Sequence, residues 1–271
     1  MTDCISGYIS VGTEQLHYLQ KGTGKKLLIA FHGYGNTADI FTELSEALML
    51  SHICISVDLP HHGKSSWGNL YFTEDHAIAL VKALMLQFKT DKVSLLGYSM
   101  GGRVCLKLVE TISGHIERLV LIASDGLKFN SFYYFLTRTR LGKILFESFL
   151  LNPKPYNVLI DSARKLRIVS KMKYNLAMRY IRDEDDRDFL LKVWQCMSYM
   201  IPDMSKLKYA LTQHNIDIVL YMGREDTIIP VSLGKSFNKH IPTSELIILN
   251  KGHRMLDADT IPLITKSILG T

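Results

Sequence analysis

Three short stretches hold residues able to run nucleophilic chemistry together. In the first, an apolar and partly β-branched run from Val93 ends in Gly97-Tyr98-Ser99-Met100-Gly101, and a helical pattern follows from Val104 to about Ile112. A strand, a one-residue corner and a helix is the setting in which a serine hydroxyl is lifted clear of a sheet on a strained backbone. Strand and helix would pass so close there that a side chain at 97 or 101 would collide, which accounts for glycine at both. The same residues also allow a plainer role, in which Ser99 merely caps the helix. A serine becomes a nucleophile only when a base takes its proton and a third group holds that base in the right tautomer. A carboxylate stands in Gly223-Arg224-Glu225-Asp226, just after the run Ile216–Tyr221, and an imidazole in Gly252-His253, just after Glu245–Leu249. Each follows an expected strand, so each can reach the sheet edge where Ser99 would lie.

The elements that must position these groups alternate. Gly7–Val11 and Gln15–Leu19 read as two short antiparallel strands, and Leu27–Phe31 is a continuous apolar run of the kind buried on both faces. It closes in His32-Gly33-Tyr34-Gly35, before an expected helix from about Ala38 to Leu50. Ile53–Leu59 is another buried strand, and Thr73 opens a long helix to about Lys89 with apolar positions at helical spacing. The elbow and its helix follow, then a strand from Arg118 to Ser124. Such alternation specifies a parallel sheet with helices on both faces. From 127 to 211 the pattern is helical throughout, aromatic at its start (Phe129, Phe132, Tyr133, Tyr134, Phe135) and basic overall. Alternation then resumes with the strand at Ile216, a helix from Val231 to His240, the strand at Glu245 and a last helix from Asp257 to about Leu269. This divides the chain into a core, 1–126 with 212–271, and an inserted helical cap, 127–211.

In these segments the chain resembles the capped, single-domain bacterial type of α/β-hydrolase-fold protein, over nearly its whole length. His32-Gly33-Tyr34-Gly35 is similar to the HGxG oxyanion loop of that family, and Asp58 to Ser65 to its DxxGxGxS segment. Gly97–Gly101 is similar to its elbow, Gly223–Asp226 to its GxxD acid loop, and Gly252-His253 to the GH loop of its base. The resemblance implies a mostly parallel eight-stranded sheet and a Ser-His-Asp triad with no cofactor and no metal. Ser99 would be nucleophile, His253 base and then acid, and Asp226 the orienting carboxylate, with Glu225 and Asp125 as rivals for that last role. The backbone N–H groups of Tyr34 and Met100 would form the oxyanion hole. His61 stands where the family usually has glycine.

Serine at position 99 narrows the chemistry to acyl transfer, C–C bond hydrolysis or another use of the triad. A serine hydrolase of carboxylic esters or thioesters is the leading expectation. The alternative is a C–C bond hydrolase using the same triad, or a pyruvate-eliminating synthase of the menaquinone-pathway type, whose GYSxGGR elbow resembles Gly97–Arg103 and whose anionic substrate would suit Arg103. A third class, a relative that binds without catalysing, usually loses a triad member, and none is missing here. Tyr34 either lines the pocket or positions substrate, and adjacent His61 and His62 suit loop hydrogen bonds better than a metal.

Composition bounds the rest. With 271 residues and a net charge of +6, the chain has 16 Lys and Arg against 8 Asp and Glu between 127 and 211, leaving the remainder at −2. A basic segment of this kind can draw anionic substrates, approach a membrane surface, or simply form a solvated helical surface. No zinc spacing or nucleic-acid-binding signature is present, and no apolar run reaches bilayer length. The four cysteines form no framework and the first residues no secretory signal, so a cytoplasmic location is expected.

Overall fold

The computed structural model describes residues 4–153, 156, 164 and 183–271. Eight strands form one sheet: β1 (Ile5–Val11), β2 (Glu14–Lys21), β3 (Lys26–Phe31), β4 (His52–Val57), β5 (Val93–Tyr98), β6 (Ile116–Ile122), β7 (Asp217–Gly223) and β8 (Glu245–Leu249). Their order across the sheet is β1-β2-β4-β3-β5-β6-β7-β8. β2 runs antiparallel to both β1 and β4, and the remaining pairings are parallel. The chain steps outward from β3 to β4 and then returns to lay β5 on the other side of β3. The connections leaving β3 and β5 therefore diverge, and such a switch point leaves a crevice beyond the strand C-termini. His32–Gly35 and Ser99 both lie there.

The expected mostly parallel α/β architecture is what forms, and strand burial explains it. Leu27–Phe31 and Val93–Tyr98 are buried at every position, as uninterrupted apolar runs require. Leu28, Ala30, Leu96, Tyr98, Val120 and Ile122 project to one face, where they pack with Leu44 and Leu48 of α1 (Thr42–Leu48) and Ile264 and Ile268 of the C-terminal helix. α2 (Glu74–Gln87) starts at Thr73 through a capping box with His76, which satisfies end donors that the helix itself cannot. α3 (Met100–Ile112) begins directly at the elbow rather than at Val104, and Val104, Cys105, Leu106, Leu108 and Val109 are fully buried. Burial of each larger apolar side chain stabilises by about 1.5–3 kcal/mol. All four cysteines are free, and burial pushes the Cys54 thiol up to about 12.

The chain divides into two compact units, one of Met1–Phe129 with Tyr199–Thr271 and one of Asn130–Ser198. Within the second lie α4 (Ser131–Arg138), α5 (Arg140–Leu151) and α6 (Glu184–Cys196). Trp194 on α6 meets the Tyr133 ring edge-on at 5.2 Å and stacks on Phe146 at 5.3 Å, and the Tyr133 hydroxyl donates to the Trp194 carbonyl. The early aromatics are not all core, because aromatics in succession point all round a helix: Tyr133 is buried while Phe132, Tyr134 and Phe135 are exposed. Most of 154–182, including part of the expected basic helical insertion, lies outside the described residues. α7 (Met204–Gln213) belongs to the first unit, where it packs on α3. α8 (Val231–His240) and α9 (Ile261–Leu269) complete that unit. α9 starts later than Asp257 because the Asp257 carboxylate accepts from the Thr260 N–H and Pro262 occupies its first turn. Among the described residues no helix is long and apolar enough to cross a membrane.

The elbow leaves no room for a side chain at position 101. A Cβ at Gly101 would lie 2.0 Å from the Phe31 carbonyl oxygen, which is backbone and has nowhere to move, whereas a Cβ at Gly252 meets nothing within 4 Å. Gly101→Ala is therefore expected to lower the unfolding free energy by about 2–4 kcal/mol, and Gly252→Ala to change it by less than about 0.5 kcal/mol. Urea unfolding midpoints of the two variants check this.

Candidate active site

Ser99 joins β5 to α3 with φ 51° and ψ −116°, a backbone state that costs a non-glycine residue about 1–3 kcal/mol. The surroundings hold it there. Its N–H donates to the Ile122 carbonyl at 2.9 Å, and its own carbonyl accepts from Gly102 at 3.0 Å and Asp125 at 2.9 Å. Added methyl groups would strike Gly102 from position 97 and the Ser124 hydroxyl from position 102. The serine thus turns its side chain out of a corner that has no spare volume.

The acid and the base arrive on the loops after neighbouring parallel strands, β7 and β8. Arg224 N–H donates to the Leu249 carbonyl and Glu225 N–H to that of Lys251. Gly223 packs so closely on Gly252 that a Cβ would lie 2.5 Å from its carbonyl oxygen. This contact brings Asp226 Oδ2 to 2.8 Å from His253 Nδ1, and His253 Nε2 to 3.0 Å from Ser99 Oγ. The Asp226 carboxylate is fully enclosed, and its other oxygen accepts from the N–H groups of Ile228 and Ile229, each at 2.8 Å. An Nδ1–H bonded to Asp226 leaves Nε2 able to accept the Ser99 proton. The rival carboxylates lie elsewhere. Asp125 meets the Arg103 guanidinium at 3.0 Å and accepts from Gly126 N–H, and Glu225 is exposed. Arg103 itself is buried beside that partner.

The loop after β3 runs alongside Ser99, where a Cβ on Gly33 would come within 3.0 Å of Ser99 Cβ. Met100 is the first residue of α3, so its N–H is one of the donors a helix start leaves without an internal acceptor. Two buried histidines brace the β3 loop. His32 Nδ1–H donates to the Gly33 carbonyl, and its Nε2 accepts from Leu59 N–H. His62 Nδ1–H donates to the Pro60 carbonyl, and its Nε2 accepts from Gly35 N–H at 3.2 Å. The two rings sit edge to face at 4.9 Å, and the Tyr34 ring lies edge-on to His62 at 6.3 Å. Burial, followed by their mutual repulsion for His32, lowers His32 to about 3, and burial lowers His62 to about 4. His61, in place of the family's glycine, adopts φ 65°, the left-handed conformation glycine would have taken without strain. Asp58 anchors this loop on the other side, accepting from Ala38 N–H, Lys64 N–H and His17 Nδ1.

The family model for the alpha/beta hydrolase fold matches residues 26–258. The chain belongs to the alpha/beta hydrolase fold family. As a hydrolase of this fold it is 22% identical to the uncharacterized hydrolase YugF of Bacillus subtilis over 93% of this chain and 91% of that one. It is 23% identical to the pimeloyl-[acyl-carrier protein] methyl ester esterase of Vibrio campbellii, over 87% and 90%. In structure it is similar to the 2-hydroxy-6-oxo-6-phenylhexa-2,4-dienoate hydrolase of Rhodococcus sp. strain RHA1, with a TM-score of 0.67, 22% identity and coverage of 99% and 100%. Among the described residues of this hydrolase, no group of three or more His, Cys, Asp and Glu side chains is arranged to hold a metal ion.

The two braced histidines make the hydrolase acid-sensitive in a defined window. Their native proton affinity lies below the ordinary 6.5 of the unfolded chain, so as pH falls below 6.5 the unfolded chain binds protons that the native rings refuse. Unfolding free energy is expected to fall from pH 6.5 downward, by up to about 1.4 kcal/mol per pH unit for each ring. The loss from His62 ends near pH 4 and that from His32 near pH 3. His62→Gln should flatten the slope between pH 6.5 and 5, as measured by urea unfolding across that range. An unchanged slope would contradict the neutral-histidine bracing.

Proposed function

We propose that this chain is a serine hydrolase that cleaves carboxylic esters or thioesters of small to medium acyl groups through an acyl-enzyme. The observation that carries this reading is the continuous relay from Ser99 Oγ through His253 to the enclosed Asp226 carboxylate, at 3.0 Å and 2.8 Å. In the first half-reaction His253 Nε2 takes the Ser99 proton as Oγ attacks the substrate carbonyl carbon. The oxyanion that forms accepts hydrogen bonds from the N–H groups of Met100 and Tyr34, which strengthen as charge develops. The imidazolium then gives its proton to the leaving alcohol or thiol as that bond breaks. In the second half a water gives its proton to His253, attacks the acyl carbonyl, and Ser99 leaves with the proton returned. Asp226, held by two backbone N–H donors, keeps Nδ1 protonated throughout and balances the imidazolium charge.

The pyruvate-eliminating alternative would use the same relay on an anionic substrate, with Arg103 as the natural anion partner. The Asp125 carboxylate at 3.0 Å from Arg103 Nε already supplies that counter-charge, which favours the ester reading. The Vibrio relative, an esterase by name, supports it too. Four free cysteines suit a reducing cytoplasm.

Hydrolysis of p-nitrophenyl acetate, butyrate and octanoate tests the proposal. Turnover is expected with at least the shorter esters. Ser99→Ala and His253→Ala are each expected to lower kcat/KM by about 10⁴-fold or more, and Asp226→Asn by about 10²–10⁴-fold. Wild-type rates in Ser99→Ala would overturn the assignment.

A further inference from the structure

We infer that Tyr98 is a positioning residue that holds His253 in register with Ser99, through one hydrogen bond and one ring contact. The inference rests on the reading of Ser99 as nucleophile and His253 as base. Tyr98 is the last residue of β5, next in sequence to Ser99, and only 3% exposed. Its phenol donates to the backbone carbonyl of His253 at 3.2 Å, and its ring lies 5.7 Å from the imidazole, tilted by 33°. The strand that ends at the nucleophile thereby grips the residue that must face it.

That grip acts where the base's loop has no regular secondary structure, between β8 and α9. The flanks of this loop are secured independently. Lys251 is held by its carbonyl bond from Glu225 N–H and by ion pairs to Asp257 and Asp259, and Asp257 is tied to Thr260. Those ties fix the loop two residues before the imidazole and four after it, while Tyr98 fixes His253 itself. Burial, and then the Asp226 charge, push the phenol up to about 12, so it remains a donor wherever the enzyme works. The catalytic distances on either side of the ring leave little tolerance, because a shift of about 1 Å in a reacting group costs up to about 10²-fold in rate.

Tyr98→Phe keeps the ring and removes the hydroxyl. The expected result is a fall in kcat of about 3- to 30-fold on a p-nitrophenyl ester, with KM within about twofold of wild type. The thermal midpoint should move by no more than about 4 °C. The second readout needs no substrate: the downfield proton resonance of His253 Nδ1–H bonded to Asp226 should be present in the wild type and broadened or lost in Tyr98→Phe. An unchanged kcat together with an unchanged resonance overturns the inference. If the wild type turns over no ester, the ester reading fails and the resonance alone decides the role of Tyr98: broadening or loss upholds it, identity refutes it.

Discussion

The backbone turn at Ser99 is the constraint on which the rest of the site depends. A non-glycine residue with φ 51° persists only where its neighbours leave it no alternative, and here they do so through volume and hydrogen bonding together. Gly97, Gly101 and Gly102 bring α3 against β3, β5 and the chain after β6 at distances that admit no side chain. The bonds to Ile122, Gly102 and Asp125 close the turn from both sides. Because Gly101 rests on the Phe31 carbonyl, the same packing fixes where β3 ends. The loop carrying Gly33 and Tyr34 therefore passes beside the serine as a consequence of the elbow.

Electrostatics around that loop follow from burial. His32 and His62 have no room for charge, so each serves as a neutral ring with one donor and one acceptor nitrogen, and each joins two loop segments. Asp58 is the opposite case, a buried carboxylate kept ionised. Burial alone would raise its proton affinity, but the N–H groups of Lys64 and Ala38 and the His17 ring outweigh that and hold it below the ordinary range. Beside Ser99 lies a polar scaffold in which each of these groups has its partners. His253 is less enclosed than these, with 18% of its side chain exposed, which suits the proton exchange with substrate and water proposed for it.

Much of this was legible in the sequence, and the limit has a physical form. Local patterns suffice when a feature is built from consecutive residues: a buried run, a glycine and a polar side chain locate Ser99, Asp226 and His253 each at the end of a strand. Local pattern does not separate Asp226 from Glu225, since both stand in the same turn. Which carboxylate meets the imidazole depends on the seating of Gly223 against Gly252, between loops of different strands. Tyr98 was invisible for the same reason, because its phenol bonds a residue 155 positions away. The histidine in place of glycine at 61 could be noticed, yet only the fold reveals that the turn keeps its left-handed geometry and accepts the strain. The early aromatics of α4 divide between a buried Tyr133 and exposed Phe132, Tyr134 and Phe135, a division that composition cannot give because it does not say which side of a helix finds a partner.

Ser99, singled out by the elbow and the relay, is proposed as the nucleophile. A serine-directed fluorophosphonate, followed by intact-protein mass and peptide mapping, tests this most directly. The expected result is one adduct per chain, located on the peptide that contains Ser99 and absent from Ser99→Ala. An adduct mapped to another residue, or labelling that survives the substitution, would contradict it.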